Sequence, residues 1–404
     1  MATIRPFAAL RPKPELAQQI CELPYDVMSS DEARDIAQNN PYSFLHVSKP
    51  EIDLAPGIDV YSEAVYKKGA ENFRLLIDQG ALVLDANPGF YLYRQIMGDH
   101  IQTGLVAVAR CQEYDEGVIK KHELTRPAKE DDRVRHIEAL NSQTGPVFLT
   151  CRTSAEYGAW VERIIDGRPD IELSAPDGVQ HASWLVENSE EISFIEQQFS
   201  RIEHLYVADG HHRTAAASRV NQSRNGNGHS GWFLTVIFPH DQIRILAYNR
   251  AVRDLNGLDA AQFLSKLEDV FDVVEKQNGE CTARNELGLY LDGKWRRLVF
   301  KAEKRESETV AGELDVALLQ HHVLGPILKS NDPRTSDRID CIGGIRGLSE
   351  LERLVDSGEY ACAFSMFPTR IEDLMEVANA GGLTPPKSTW FEPKLRDGMF
   401  CHMI

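Results

Sequence analysis

The sequence lacks three features that would place it in particular protein classes. No apolar run approaches the roughly 20 residues that a membrane-spanning helix requires, and the N-terminal residues 1–7 carry no hydrophobic signal region. The seven cysteines are scattered without a Cys-x-x-Cys pair, which argues against a disulfide framework and against a structural zinc site. We therefore expect a cytoplasmic protein with reduced thiols and without a membrane partner.

Basic charge is also scarce. Lysine and arginine total 44 against 61 aspartates and glutamates, which gives a net charge of −17. Such a surface repels nucleic acid unless basic residues are locally concentrated, and no long basic run is present. We expect no nucleic-acid partner. The length of 404 residues allows two or three domains, each with its own core.

The distribution of apolar residues and turn signals predicts a mixed fold. Residues 90–97 and 101–112 alternate as the two strands of a hairpin across Gly98 and Asp99. Residues 61–79 have helical spacing, and Ser29 begins a segment with the capping and acidic residues of a helix start. A turn is predicted at residues 176–178, a strand over 242–248, two strands around Asp292 and Gly293, and a helix that starts at Arg213. Because strands and helices interleave along the chain, the predicted class is α/β or α+β.

The strongest candidate site follows a short apolar strand, where the sequence reads Asp209, Gly210, His211, His212, Arg213. The glycine permits a tight turn, and a strand–turn–helix unit presents backbone N–H groups and a positive helix end that attract phosphate. Arg213 can bind phosphate oxygens, the histidines can donate hydrogen bonds or protons, and Asp209 suits a metal or ribose contact. The competing interpretation is a polar turn whose histidines merely cap the helix.

Two adjacent histidines also raise the possibility of zinc. Side chains of neighbouring residues at a helix start diverge, and no His-x-x-x-His motif accompanies His211 and His212, which disfavours a zinc site. A metal-dependent hydrolase remains an alternative function, and the identity of any metal is open.

A second candidate site lies between residues 120 and 133. His122 and Glu123 precede the break at Pro127, so a strand end or turn is expected there, and a carboxylate beside a histidine suits general-base work. Lys129 and Arg133 stand four residues apart on one helix face. They either support the site or belong to a solvated helix rich in ion pairs.

The chain resembles, nearly end to end, the family catalogued as domain of unknown function 1015. The matching segments are residues 5–12, 24–27, 40–47, 121–123, 129–133, 208–213 and 386–394. The core also resembles the ParB/sulfiredoxin fold and, within it, the free-serine kinases. Those enzymes carry a His-Glu pair, a helix, a glycine-marked strand entry and an Asp-Gly-His-His-Arg turn, which match residues 122–123, 133–140, 145–147 and 209–213 in that order.

The resemblance to the kinases implies roles for these residues. Glu123, with His122, would be catalytic, and Asp209, Gly210, His211, His212 and Arg213 would hold nucleotide phosphates. The chain would then transfer a phosphoryl group from ATP or ADP, with Mg²⁺, to the hydroxyl of a small molecule, L-serine being the leading candidate. A ParB-like nucleotide-binding regulatory or adaptor protein with little catalysis is the main alternative.

The domain organisation follows from the same resemblance. We expect an N-terminal α+β region over residues 1–115, a nucleotide-binding core over 116–225 with an insert at about 150–203, and a C-terminal α+β region over 226–404. Because the insert is longer than its counterpart in the kinases, the acceptor is left open. The choice between ATP and ADP, the oligomeric state, and the roles of the C-terminal region and of the loop at residues 386–394 are also open.

Overall fold

The computed structural model describes residues 1–330, 336–385 and 387–404, so that Pro386 of the predicted loop lies outside the described residues. The helices are α1 (Ala17–Ile20), α2 (Ser30–Ala37), α3 (Leu45–Ser48), α4 (Glu63–Asp78), α5 (Cys111–Asp115), α6 (Pro127–Leu140), α7 (Ala155–Ile165), α8 (Ser189–Phe199), α9 (His211–Ser223), α10 (Ala260–Leu267), α11 (Asp315–Leu319), α12 (Leu348–Asp356) and α13 (Ile371–Asn379).

The strands are β1 (Ile4–Arg5), β2 (Leu10–Pro12), β3 (Leu82–Leu84), β4 (Phe90–Met97), β5 (His100–Arg110), β6 (Ile119–Lys120), β7 (Ser142–Gln143), β8 (Val147–Cys151), β9 (Ile171–Ser174), β10 (Gln180–Val186), β11 (Leu205–Asp209), β12 (Trp232–Pro239), β13 (Arg244–Leu246), β14 (Tyr248–Val252), β15 (Phe271–Glu275), β16 (Glu286–Leu291), β17 (Lys294–Phe300), β18 (Ile339–Gly343), β19 (Cys362–Met366), β20 (Trp390–Glu392) and β21 (His402–Met403). The mixed α/β class expected from the sequence is confirmed.

The chain forms two compact units. The first comprises Met1–Lys121, Thr125–Ile243 and Pro393–Ile404, and the second comprises His122–Leu124 and Arg244–Glu392. The boundaries expected after residues 115 and 225 do not coincide with this division. The reason is that β8, β11 and β12 lie in one sheet with β4 and β5, so residues 116–225 share a sheet with the strands that precede and follow them.

The first unit is built on a nine-stranded sheet in the order β6-β11-β8-β12-β5-β4-β10-β9, with β1 paired to β5. The predicted hairpin is confirmed, because β4 and β5 pair antiparallel with Met97 opposite His100. Strand β8 pairs in parallel with β12, and β6 pairs in parallel with β11. Apolar side chains of the central strands, among them Leu92, Leu105 and Leu149, are fully buried in one core cluster.

Local sequence signals account for several elements of the first unit. Helix α2 begins with a capping box, in which the Ser29 side chain accepts from the Glu32 N–H while the Glu32 carboxylate accepts from the Ser29 N–H. The turn predicted at residues 176–178 connects β9 and β10, which the sequence analysis missed. Strand β10 was not predicted because it buries the polar residues His181 and Ser183. Strand β9 does alternate between buried apolar and exposed polar residues, but over only four residues.

The C-terminal segment Pro393–Ile404 belongs to the first unit. Strand β21 pairs with β7, and isolated bridges join Asp397 to Glu22 and Cys401 to Leu10. Through these pairings, residues from the end of the chain lie beside residues near its beginning.

The second unit is built on a six-stranded antiparallel sheet in the order β15-β17-β16-β19-β14-β18. The predicted hairpin turn at Asp292 and Gly293 connects β16 and β17, as expected. The strand predicted over residues 242–248 is present as the shorter strand β13, and the next strand, β14, starts at Tyr248.

Across the residues that the structure describes, no helix is both long enough and apolar enough to cross a membrane. All seven cysteines are free thiols.

Candidate functional site

The turn between β11 and α9 is formed by a glycine in a left-handed conformation. Gly210 is the N-cap of α9, with φ +95° and ψ +29°, a conformation that side-chain-bearing residues rarely adopt. The helix begins at His211, two residues earlier than the start at Arg213 expected from the sequence. The amide groups of the first helical turn have no acceptor within the helix, and the helix dipole is positive at this end.

The Asp209 carboxylate lies close to two cationic side chains at this turn. Its Oδ1 accepts the Gly210 N–H at 2.8 Å, and its Oδ2 lies 3.0 Å from the Lys394 ammonium. The Arg213 guanidinium lies 3.9 Å from Oδ1. Two cations therefore face one carboxylate, and both have only 11% of the side chain exposed. The charges of Asp26 and Asp397 also act on Arg213, so cations and carboxylates are both present at the start of α9.

Arg213 packs against Gly210, which stands three residues earlier in the sequence. Its Nη1 donates a hydrogen bond to the Pro146 carbonyl at the entry to β8. A Cβ atom placed on Gly210 would lie 3.1 Å from Arg213 Nε and 3.2 Å from Cζ. A side chain at Gly210 would therefore crowd the guanidinium. The turn requires glycine for two reasons, the positive φ and this lack of space.

A hydrogen bond to the backbone indicates which ring nitrogen of His212 carries the proton. Its Nε2 lies 3.0 Å from the backbone nitrogen of Arg126, which precedes α6. Since an N–H group can only donate, Nε2 is the acceptor, and His212 is neutral with its proton on Nδ1. His212 therefore connects the turn to the start of α6, whereas His211 is buried in the first turn of α9.

Arg133 lies inside the first unit and not on a solvated helix face. It is 9% exposed, and both its Nε and Nη2 donate to Asp132 Oδ2, at 2.9 Å and 2.7 Å. Its Cζ lies 3.8 Å from the centre of the Tyr25 ring. The interpretation as a solvated helix face holds only for the exposed side of α6, where Lys129 lies.

Arg133 and Arg213 line the same cavity of about 30 Å³, together with Tyr25, Gly145 and Asp397. Asp397 is 3% exposed. Burial raises its pKa to about 7, the neighbouring charge of Asp26 acts in the same direction, and the charges of Arg213 and Arg133 oppose them. A Cβ atom on Gly145 would lie 2.8 Å from Asp397 Oδ1, so this glycine gives the carboxyl group its space.

His122 and Glu123 belong by their contacts to the second unit. His122 is buried, Glu123 is half-buried, and the His122 carbonyl accepts hydrogen bonds from the N–H and the hydroxyl of Thr384, at 2.7 Å and 3.1 Å. Both residues lie in the loop between β6 and α6, as expected for a strand end or turn. The roles proposed for them stay predictions.

Three residues that lie in this region were not predicted from the sequence. Lys394 belongs to the loop whose role the sequence leaves open, and Asp397 and Tyr25 have no role assigned from the sequence. The signal available for Tyr25 and Lys394 is their presence in the segments that match the family, at residues 24–27 and 386–394. Asp397 has no such signal, because its position depends on pairing with Glu22, far away in the sequence.

The family model described as "Protein of unknown function (DUF1015)" matches residues 4–317. The chain belongs to this family. Membership in DUF1015 was expected from the ordered segments and is confirmed. The sequence matches no curated protein.

Several solved structures are similar to this DUF1015 chain at low identity. A C-terminally truncated SbnI from Staphylococcus aureus is 11% identical, with 72% of this chain and 85% of that chain covered and a TM-score of 0.40. A mutant free serine kinase in complex with AMP is 14% identical, with 71% and 87% covered and a TM-score of 0.37. A conserved hypothetical protein from Pyrococcus furiosus is 14% identical, with 74% and 95% covered and a TM-score of 0.38. At these TM-scores the similarity carries no argument about activity.

Proposed function

We propose that this DUF1015 chain is a nucleotide-dependent phosphotransferase that acts on the hydroxyl of a small molecule. The observation that carries the proposal is the start of α9, where a glycine at φ +95° is followed by the first helical amides. Arg213 and Lys394 both lie within 4 Å of Asp209 at this turn. A helix start with cationic side chains beside its free amides is suited to phosphate groups.

In the proposed reaction, the acceptor hydroxyl loses its proton to the Glu123 carboxylate, a role that comes from the resemblance to free-serine kinases. The hydroxyl oxygen then bonds to the terminal phosphorus of ATP or ADP while the bond to the leaving phosphate oxygen breaks. The products are the phosphorylated acceptor and ADP or AMP. The helix amides and the nearby cations would stabilise the negative charge on the phosphates.

Asp209, the carboxylate of this turn, is poorly suited to bind magnesium. Both oxygens of Asp209 already have partners, the Gly210 N–H and the Lys394 ammonium. A carboxylate facing two cations is a poor ligand for a dication, because binding would require both cations to move away. We therefore assign the compensation of phosphate charge to Lys394, Arg213 and the helix start.

The experiment measures phosphoryl transfer directly. Purified protein is incubated with ATP or ADP, in magnesium-containing buffer, with L-serine and a panel of small hydroxyl compounds, and the products are identified by mass spectrometry. We expect O-phosphoserine, or another phosphorylated member of the panel. Glu123→Gln should abolish the product while nucleotide binding persists. The exposed Glu116→Gln is the matched control and should retain activity.

Failure of L-serine with both nucleotides would eliminate serine as the acceptor. Failure of every panel compound, with nucleotide bound, would contradict the phosphotransferase proposal and favour a nucleotide-binding regulatory protein. Full activity of Glu123→Gln would remove this residue from the reaction.

A further inference from the structure

A second cavity, of about 60 Å³, adjoins the first one in the same unit. Tyr25, Arg133 and His136 line both cavities. A volume of this size holds about four water molecules, or a similar number of atoms of a small ligand. The other polar residues that line it are Ser48, Lys49, Glu51, Lys129 and Asp132.

The charges around this cavity do not cancel. Arg133 is paired with Asp132, and Lys49 Nζ lies 3.2 Å from Glu51 Oε1. Lys129 Nζ contacts the Tyr61 ring at 5.6 Å from its centre, and no carboxylate of the described residues lies within 4 Å of it. One positive charge is left without an anionic partner.

His136 adds no further charge. Its Nε2 lies 3.0 Å from the Val47 carbonyl and must donate to it, which leaves Nδ1 as an acceptor. Burial and the charge of Arg133 lower the pKa of His136 to about 4, so that the ring is neutral near pH 7. The side chains that line the cavity therefore carry a net charge of one positive unit.

Ser48 supplies an independent indication of a ligand. Its side chain lines the cavity, the residue is 3% exposed, and its hydroxyl has no hydrogen-bond partner among the residues that the structure describes. Buried polar groups almost always have a partner in proteins. A ligand oxygen in the cavity would provide one, and a carboxylate would also compensate the Lys129 charge.

We propose that this cavity binds the carboxylate of the acceptor, which would be a small hydroxy acid or hydroxy amino acid. This inference rests on the proposed function for its substrate, although the binding site itself is testable separately. Ser48 and Lys129 would donate to the carboxylate, whereas Arg133 is occupied by Asp132. One positive charge matches a monoanion and leaves a phosphate dianion half compensated. Arg133 also lines the first cavity with Arg213, which links the pocket to the turn before α9.

The test uses two matched pairs of probes, D-glycerate with glycerol and L-serine with serinol, in which the second member lacks the carboxylate. Calorimetry on the wild-type chain should show binding of at least one of the carboxylates, at least tenfold tighter than binding of its match without the carboxylate. Ser48→Ala and Lys129→Gln should each weaken this binding about tenfold. ADP affinity should not change in either variant, and exposed Lys67→Gln should preserve both affinities.

The outcomes separate the pocket from the reaction. If neither carboxylate binds to the wild type at millimolar concentration, or if both variants bind it as tightly as the wild type, the inference is wrong even where phosphoryl transfer is observed. If binding depends on Ser48 and Lys129 but no phosphoryl transfer occurs, the pocket is supported and the proposed function fails. Unchanged ADP affinity shows that each variant is folded.

Discussion

Asp397 provides a quantitative test of the electrostatics around the turn. The residue is 3% exposed, and burial raises the pKa of its carboxyl group from 3.8 to about 7. Between these two pH values, the folded protein retains a proton that the unfolded chain has lost. The contribution of Asp397 to the free energy of unfolding is therefore fully favourable at low pH and declines as the pH rises through this window.

The substitution Asp397→Asn keeps the shape of the side chain and removes the titration. A pKa difference of about 3 units corresponds to about 4 kcal/mol, at about 1.4 kcal/mol per unit. We expect the variant to gain stability relative to the wild type by up to about this amount between about pH 4 and pH 8. Burial lowers the pKa of His136 and His402 to about 4. These residues make both proteins more stable as the pH rises towards their ordinary pKa, so only the difference between the two proteins isolates Asp397.

Urea unfolding at a series of pH values, followed by tryptophan fluorescence and circular dichroism, measures this difference. Asp99→Asn, in the exposed turn between β4 and β5, is the matched control and should give a difference that does not vary with pH. The raised pKa of Asp397 would be refuted if the stability difference between Asp397→Asn and the wild type did not vary with pH, or if it fell as the pH rose.

Two further predictions concern the turn itself. Gly210→Ala should cost about 1–3 kcal/mol of stability through backbone strain and should weaken ADP binding, since the new Cβ also crowds Arg213. Gly98→Ala, at φ +59° with nothing within 4 Å, is the control that should keep ADP affinity. Lys394→Met should weaken ADP binding about ten- to a hundredfold in calorimetry, the range expected for one lost hydrogen bond to a charged group. Equal affinity of Lys394→Met and wild type would remove this lysine from the phosphate site.

The local part of the candidate site was predictable from the sequence. A short apolar strand, a glycine and a run of small residues indicate the strand–turn–helix unit, because each feature acts over a few residues. The capping box at Ser29 and the hairpin turn at Gly98 were predictable for the same reason. Even here the start of α9 was misplaced by two residues, since Gly210 ends the strand and caps the helix at once.

The non-local part could not be predicted from spacing. The contact between Lys394 and Asp209 joins residues 185 positions apart, and nothing in either segment specifies the other. The pattern of Lys129 and Arg133 indicated only a shared helix face, whereas tertiary packing buries Arg133 against Tyr25 and leaves Lys129 exposed. Strand β10 was not predicted because its buried residues include His181 and Ser183, and the apolar alternation of β9 extends over only four residues.

The placement of Pro393–Ile404 in the first unit has a consequence for biosynthesis. During synthesis from the N-terminus, β11 and α9 leave the ribosome long before Lys394 and Asp397 exist. The turn at Gly210 therefore forms first without the cation that contacts Asp209, and without the carboxyl group that faces Arg213. Closing so long a loop costs entropy that the short contacts must offset. The arrangement of charged groups at the start of α9 is thus complete only after Pro393–Ile404 has packed into the first unit.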